Sequence, residues 1–184
     1  MSQDRLRLFV ALELGEQVRE GLARWRAQVL PPGAKLRLTP SEYLHVTLCF
    51  LGSRAAADVG KIADACAEAV AAGPPDELQL GAAIWLPPRR PRVLAVELVD
   101  ASGALEACQA ALSACLARGG WYEPEKRPFR PHVTVARVPR GVRAPADGLS
   151  SPPARSFAAQ SVTLFCSRLS RSGARYEALR QFRL

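Results

Sequence analysis

The chain has 184 residues, of which 48% are hydrophobic and 23% charged, a balance typical of a globular protein with a substantial core. No stretch approaches the roughly 18 consecutive apolar residues of a membrane-spanning helix, and the first residues lack the apolar segment of a signal peptide, so we expect a cytoplasmic protein that does not bind membranes. The net charge of +8 comes almost entirely from arginine, which suits a polyanionic partner such as RNA but is equally typical of an arginine-rich surface without function.

The first half of the chain alternates between strand-like and helix-like segments. Residues 6–12 are apolar and β-prone, which predicts a buried strand. Residues 16–30 carry apolar side chains at helical spacing and end at a Pro-Pro-Gly sequence, which predicts a helix. A short strand is expected over residues 36–38, followed by an alternating strand over residues 43–51. Gly52 is expected to end that strand.

A similar pattern continues through the middle of the chain. We expect Ser53 to cap a helix over residues 55–72. Residues 78–86 and 92–99 predict two strands, joined by the proline-rich basic loop 87–91. Ser102 is then expected to cap a helix that runs to residue 118.

The remaining elements complete a mixed fold. Residues 132–136 predict a strand, residues 139–153 a surface loop, and residues 157–168 and 174–182 a terminal hairpin. The order has no strict βαβ repetition and no glycine-rich nucleotide loop. It therefore predicts an α+β fold with antiparallel sheets, in a single domain over residues 1–184.

The five cysteines do not predict a cross-linked or metal-bound framework. Their number is odd and no C-x-x-C pair occurs, so we expect reduced, buried thiols. These residues are Cys49, Cys66, Cys108, Cys115 and Cys166.

One tetrapeptide pattern occurs twice and contains every histidine of the chain. The two copies are residues 45–48, His-Val-Thr-Leu, and residues 132–135, His-Val-Thr-Val. Chance repetition around both histidines is on the order of one in ten thousand. Because residues i and i+2 of a strand face the same way, each copy presents an imidazole beside a hydroxyl. By the same alternation, Cys49 is expected on that face.

This set of side chains suits the chemistry of a phosphodiester. A neutral histidine can remove a proton from water while a protonated one donates a proton to the leaving oxygen, so His45 and His132 are the predicted catalytic residues. Thr47 and Thr134 can hydrogen-bond the non-bridging phosphate oxygens. Two histidines without a third ligand do not predict a metal site, so we expect no metal and no other cofactor.

Several further residues are candidates for contact with RNA. Arg130 precedes His132 by two positions, which predicts a phosphate contact on the same face, with a solvated surface arginine as the alternative. The Arg89–Arg92 loop is either an RNA-tracking patch or an ordinary charged surface. Phe9, Phe50 and Tyr43 could stack a base, although core packing is the favoured interpretation for the two phenylalanines.

At these motifs the sequence resembles the RNA 2',3'-cyclic phosphodiesterases, also known as the 2'-5' RNA ligase family, of the two-histidine (2H) phosphoesterase superfamily. The similarity covers nearly the whole chain. It includes the opening strand, the motif that runs from His45 into Phe-Leu-Gly, the strand opening at residues 91–94, the Arg-Pro-Phe-Arg-Pro-His motif around His132, and the C-terminal hairpin.

The resemblance implies two pseudo-symmetric lobes, with antiparallel sheets flanked by helices around a central groove. It implies metal-independent hydrolysis of RNA 2',3'-cyclic phosphate ends to 2'-phosphomonoesters, with His45 as proton donor to the 3'-oxygen and His132 as base. Thr47 and Thr134 would bind the phosphate. Some members of the family also join or split 2'-5' linkages, so tRNA halves are a candidate substrate, and we expect a monomer.

Two other functions remain open from the sequence. The first is a phosphodiesterase of the same fold that acts on small cyclic nucleotides or 2'-5' oligonucleotides. The second is a non-catalytic RNA-binding module. Retention of both imidazoles and both hydroxyls argues against the second, because binding alone does not need them.

Overall fold

The structure is a computed structural model, which describes residues 4–71, 73, 77–145, 149–170 and 173–184. Within these ranges the first strands and helices are β1 (Arg5–Glu13), α1 (Glu16–Val29), β2 (Arg37–Leu38), β3 (His45–Ala55) and α2 (Val59–Ala71). They are followed by β4 (Glu77–Leu86), β5 (Val93–Val99), α3 (Ala104–Arg118), β6 (His132–Arg137), β7 (Ser156–Ala158), β8 (Ser161–Ser170) and β9 (Gly173–Arg183).

The strands form one sheet in which every described pairing is antiparallel, in the order β7-β4-β5-β6-β3-β1-β8-β9, with β2 paired to β6. The two motif strands, β3 and β6, lie at its centre. They share a single register pair, Val46 with Val133. Both histidines therefore lie next to the line where the two halves of the sheet meet.

The same arrangement of elements occurs on both sides of this central line. In the first half, α1 connects the antiparallel pair β1 and β3; in the second, α3 connects the antiparallel pair β5 and β6. The predicted α+β class with antiparallel pairing is confirmed. The two halves share one continuous sheet through β3 and β6.

The hydrophobic core lies between the helices and the sheet. Leu8, Val10 and Leu12 of β1 are fully buried. In α1, the apolar positions at helical spacing, among them Leu22 and Trp25, pack against this core. No helix in the described ranges is long and apolar enough to cross a membrane.

The predicted cap of the second helix is wrong. β3 continues through Gly52 to Ala55, and α2 begins only at Val59. Ser53 therefore lies within the strand, where its Oγ accepts a hydrogen bond of 3.0 Å from Nε of Arg5.

The third helix begins differently from the prediction as well. It starts at Ala104, and the carboxylate of Asp100 accepts hydrogen bonds from the amides of Gly103, Leu105 and Glu106. Ser102 accepts only the amide of Ala104, so Asp100 satisfies most of the N-terminal donors.

The predicted C-terminal hairpin differs in part from the structure. The segment 157–168 is divided between two strands, since β7 pairs with β4 and only β8 forms the hairpin with β9. Residues 146–148 of the predicted loop, and residues 171 and 172 of the predicted hairpin, lie outside the described residues.

Candidate active site

Strand β3 departs from regular alternation just after its histidine and threonine. On β1, Val10 pairs with Cys49 and Ala11 pairs with Thr47, so Leu48 is an extra residue without its own partner there. This irregularity is a β-bulge, which moves the side chains that follow directly, Cys49 and Phe50, to the opposite faces from those that regular alternation gives.

Strand β6 has the same irregularity at the same place in its motif. On β5, Leu94 pairs with Ala136 and Ala95 pairs with Thr134, so Val135 is the extra residue. In both motifs the second, fourth and fifth residues are buried, while the histidine, the threonine and the sixth residue remain accessible. The repeat seen in the sequence is thus also a repeat of backbone shape.

The bulges decide which side chains face the groove. Cys49 is buried with 1% exposure, so its predicted place on the histidine face is wrong. The fifth residue after each histidine takes the groove position, and these residues are Phe50 and Arg137. Phe50 remains 44% exposed, so its favoured interpretation as a core residue is also wrong.

The structure places both motifs in one groove of about 400 Å³. Extending the Val46–Val133 register by one residue each way sets His45 opposite Thr134, and Thr47 opposite His132. The two imidazoles therefore lie on a diagonal, each flanked by a hydroxyl on its own strand and one across. The lining also includes Arg7, Arg37, Leu38, Tyr43, Arg137 and Tyr176.

Both imidazoles are held in the same tautomer by backbone carbonyls. Nδ1 of His45 lies 2.7 Å from the carbonyl oxygen of Tyr43, and Nδ1 of His132 lies 2.7 Å from that of Arg130. Because a carbonyl only accepts, each Nδ1 carries a hydrogen and each Nε2 is left for other partners. Nε2 of His45 lies 3.2 Å from Oγ1 of Thr47.

His45 lies against an aromatic wall. Its ring centroid is 5.1 Å from that of Phe9 and 5.4 Å from that of Tyr176. Burial lowers the pKa of His45 to about 4, and the charges of Arg137 and His132 also lower it, while the Tyr43 carbonyl and the Glu13 charge act in the opposite direction. The imidazole of His45 is therefore neutral at pH 7 unless a further negative charge enters the groove.

Arg130 is not among the residues that line the groove. Its guanidinium lies on Glu97, with Nη2 2.6 Å and Nε 2.8 Å from the same carboxylate oxygen. The residue belongs to the loop before β6, so strand alternation does not extend to its side chain. The Arg89–Arg92 loop, between β4 and β5, does not line the groove either.

Arginines on other strands give the groove its positive charge. Arg7 lies on β1, and its guanidinium sits 4.7 Å from the ring centroid of Phe50. Arg37 of β2 pairs with Arg137 of β6 across neighbouring strands. Within the described ranges, no group of three or more His, Cys, Asp or Glu is arranged to hold a metal ion.

The sequence contains a signal for the two groove residues that strand alternation missed. In each motif two consecutive apolar residues, Leu48–Cys49 and Val135–Ala136, interrupt the alternation. Two adjacent buried positions within a strand are the pattern that a bulge produces. Counting one extra residue in each motif places Phe50 and Arg137 on the histidine face.

An antiparallel sheet packed against helices, with two His-x-Thr motifs lining one groove, is typical of the 2H phosphoesterases. The family model for the 2'-5' RNA ligase superfamily matches residues 14–167. The chain belongs to this superfamily.

Individual relatives agree with this assignment. A protein of Escherichia coli (strain K12), named RNA 2',3'-cyclic phosphodiesterase, is 31% identical over 97% of this chain and 96% of its own length. The crystal structure of E. coli LigT complexed with 3'-AMP superimposes with a TM-score of 0.83, at 29% identity over 98% of this chain and 99% of that one. A protein of Thermus thermophilus, TT0787, also gives a TM-score of 0.83, at 26% identity over 97% of this chain and 98% of that one. The predicted family, fold and enzyme class are confirmed.

Proposed function

We propose that this protein hydrolyses the 2',3'-cyclic phosphate at RNA ends to a 2'-phosphomonoester, with His45 and His132 as a metal-independent acid–base pair. The observation that carries the proposal is the pair of imidazoles in one groove, each with Nδ1 held by a carbonyl and Nε2 left for other partners. The names of the curated relatives, from three organisms, support the same reaction.

In the proposed reaction the roles follow the family resemblance. His132 removes a proton from water, whose oxygen attacks the phosphorus of the cyclic ester. The bond from phosphorus to the 3'-oxygen breaks, and His45 donates the proton that this oxygen needs. The 2'-oxygen keeps the phosphate, and the two histidines exchange protons with solvent before the next turnover.

The remaining groove residues stabilise charge on the phosphate. Thr47 and Thr134 each lie across from the histidine of the other strand, where a hydroxyl can donate to a non-bridging oxygen. The guanidinium of Arg137 can bind two such oxygens at once, because its donors form a planar fork. The presence of Arg137 in the groove lining supports it, in place of Arg130, as the arginine that contacts the phosphate in this proposal.

The groove also contains an aromatic ring on which a nucleobase can stack. The ring of Phe50 is exposed in the groove, and Arg7 lies over it. An exposed aromatic ring that stacks a base contributes about 1–3 kcal/mol with little sequence preference. This supports RNA ends as a class of substrate and leaves the small cyclic nucleotides as the competing substrate. tRNA halves, a monomeric state and a cytoplasmic location belong to the proposal as well.

The test is turnover of an RNA oligonucleotide ending in 2',3'-cyclic phosphate, in the presence of EDTA. We expect a 2'-phosphate product, and we expect His45→Ala and His132→Ala each to lower kcat about 10²–10⁴-fold. Arg24→Ala, an exposed change on α1 outside the groove, is the control and should retain full activity.

Four other results would change or contradict the proposal. Turnover of cyclic mononucleotides alone would favour the small-nucleotide alternative, and RNA binding without turnover would favour a binding module. A joined 2'-5' product from two RNA ends would show that the same acid–base pair also works in the synthetic direction. A dependence on added metal would contradict the mechanism.

A further inference from the structure

Each groove histidine faces a glutamate on the strand next to its own. Glu13 of β1 is the register partner of His45 on β3. Glu97 of β5 is the register partner of His132 on β6. Directly paired residues of antiparallel strands point to the same face, with Cβ atoms about 5 Å apart. Both imidazoles thus have a carboxylate as a cross-strand neighbour.

The two carboxylates differ in their ion-pair and hydrogen-bond partners. Glu97 forms an ion pair with Arg130, whose Nη2 lies 2.6 Å from Oε1, so a positive charge accompanies this carboxylate. The backbone carbonyl of Arg130 also binds Nδ1 of His132. Arg130 therefore makes two contacts beside the second histidine: its carbonyl binds Nδ1 of His132, and its guanidinium forms an ion pair with Glu97.

Glu13 is held by neutral donors. Its Oε2 accepts hydrogen bonds from Oγ of Ser161 at 2.7 Å, Oγ1 of Thr163 at 2.8 Å and Nε2 of Gln181 at 2.6 Å. Burial acts to raise the pKa of Glu13, but these hydrogen bonds, together with the charge of Arg19, lower it overall. The carboxylate is therefore ionised at neutral pH.

The other charged groups that act on His45 disfavour its protonated form. Burial is the largest effect that opposes a positive charge there, and Arg137 and His132, both on β6, oppose it as well. Glu13 on β1 and the carbonyl of Tyr43 are the groups of the protein that favour it. A proton on His45 during the reaction is thus favoured by the Tyr43 carbonyl, by the charge of Glu13 and by the anionic phosphate of the substrate.

We propose that these two glutamates decide which of the two near-identical motifs supplies the acid. Glu13, with its neutral donors, is a positioning residue whose negative charge favours the protonated form of His45, whereas the charge of Glu97 beside His132 is offset by its ion pair with Arg130. This inference rests on the proposed hydrolysis and deepens it. It names residues outside the two nearly identical motifs that make the surroundings of the two histidines unequal.

The first test is the pH dependence of kcat, which reports on the enzyme–substrate complex. Glu13→Gln keeps the shape of the side chain and removes its charge. We expect the basic limb of the profile, where the acid loses its proton, to move down by about one pH unit, with kcat above that limb falling about tenfold. Glu13→Asp, which keeps the charge, should restore most of the shift.

The second test concerns the acidic limb of the same pH profile. Arg130→Gln removes the positive partner of Glu97, which should favour protonation of His132 and move the acidic limb to higher pH. Glu20→Gln, an exposed change on α1, is the matched control and should leave both limbs in place. Thr163→Val separates an effect on stability from an effect on charge. It removes one hydrogen-bond donor to Glu13 but keeps the carboxylate, so it should lower Tm and move the limbs of the pH profile of kcat only slightly.

The two histidines allow a direct measurement, because NMR of the imidazole nitrogens then gives only two titrations. With adenosine 2'-monophosphate bound, Glu13→Gln should lower the midpoint of His45, and Arg130→Gln should raise that of His132. Unmoved midpoints and limbs in both variants would overturn the inference, as would shifts at the opposite histidine. Absence of turnover by the unmodified protein would instead contradict the proposed function, while the titrations would still decide the electrostatic roles.

Discussion

The thiol of Cys49 illustrates how one extra residue changes the character of a side chain. It lies two positions after Thr47, yet it points away from the groove into the core. Burial raises the pKa of Cys49 to about 12, and neighbouring Cys108 adds to the effect. The reactive form of a cysteine is the thiolate, so this thiol is expected to be inert at neutral pH.

We expect iodoacetamide at pH 8 to leave Cys49 unmodified in the folded protein. Cys115 is the comparison within the same chain, since it is only partly buried and its Sγ lies 3.1 Å from a guanidinium nitrogen of Arg118. Mass spectrometry of the peptides should show labelling of Cys115 first, and of Cys49 only after denaturation. Early labelling of Cys49 would mean that the strand is regular at this point.

At the scale of elements, the two bulges mark the limit of sequence-based prediction. Strand alternation correctly places both histidines and both threonines in one groove. The rule holds there because the strand has to be regular only from each histidine to the threonine two positions later. Beyond the threonines the same rule fails, since each bulge adds one residue. The two adjacent apolar residues that mark a bulge also occur in regular strands buried on both faces, and only the pairing with the neighbouring strand separates the two cases. The side chain of Arg130 lies outside the groove lining for a related reason: it forms an ion pair with Glu97 on β5, which is distant in sequence.

Helix positions are easier to predict than helix caps. The apolar periodicity of α1 extends over many residues and is insensitive to one error. A cap depends on a single residue at a boundary that shifts by several positions, as at Ser53, where the strand continues past Gly52.

Gly52 provides a test of the second irregularity in β3. Its φ is +72°, and the register skips Leu51 at this place, between the pairs of Gly52 and Phe50. A Cβ there meets no atom within 4 Å, so the cost of a side chain is one of backbone conformation alone. We expect Gly52→Ala to lower the free energy of unfolding by about 1 kcal/mol.

The matched control is Gly21→Ala in the middle of α1, where a Cβ also meets no atom within 4 Å. In a helix the same change should raise stability by about 0.5–1 kcal/mol. Urea denaturation of both variants measures the two signs. A stabilised Gly52→Ala protein would show that the left-handed conformation is not required at the bulge.

At the scale of the whole molecule, the two halves of the sheet are joined by few backbone contacts. Only Val46 and Val133 pair between β3 and β6 in the described register, although the groove needs both strands held together. The short strand β2 also pairs with β6, through Arg37 with Arg137 and Leu38 with Ala136. A buried cation adds a further connection: Nη1 of Arg26, on α1 of the first half, donates to the carbonyls of Thr39 and of Val135 on β6.

We expect Arg26→Leu to lower the free energy of unfolding by about 2–4 kcal/mol, because it removes two charge-assisted hydrogen bonds and leaves the Thr39 carbonyl without that partner. The carbonyl of Val135 retains the amide of Thr39, which limits the loss. Arg24→Leu, on the exposed side of the same helix, should change stability by no more than about 0.5 kcal/mol. Since Val135 lies within the second motif, kcat should also fall in Arg26→Leu at temperatures where the protein is fully folded. Equal stability of the two variants would show that the groove is held closed by the sheet alone.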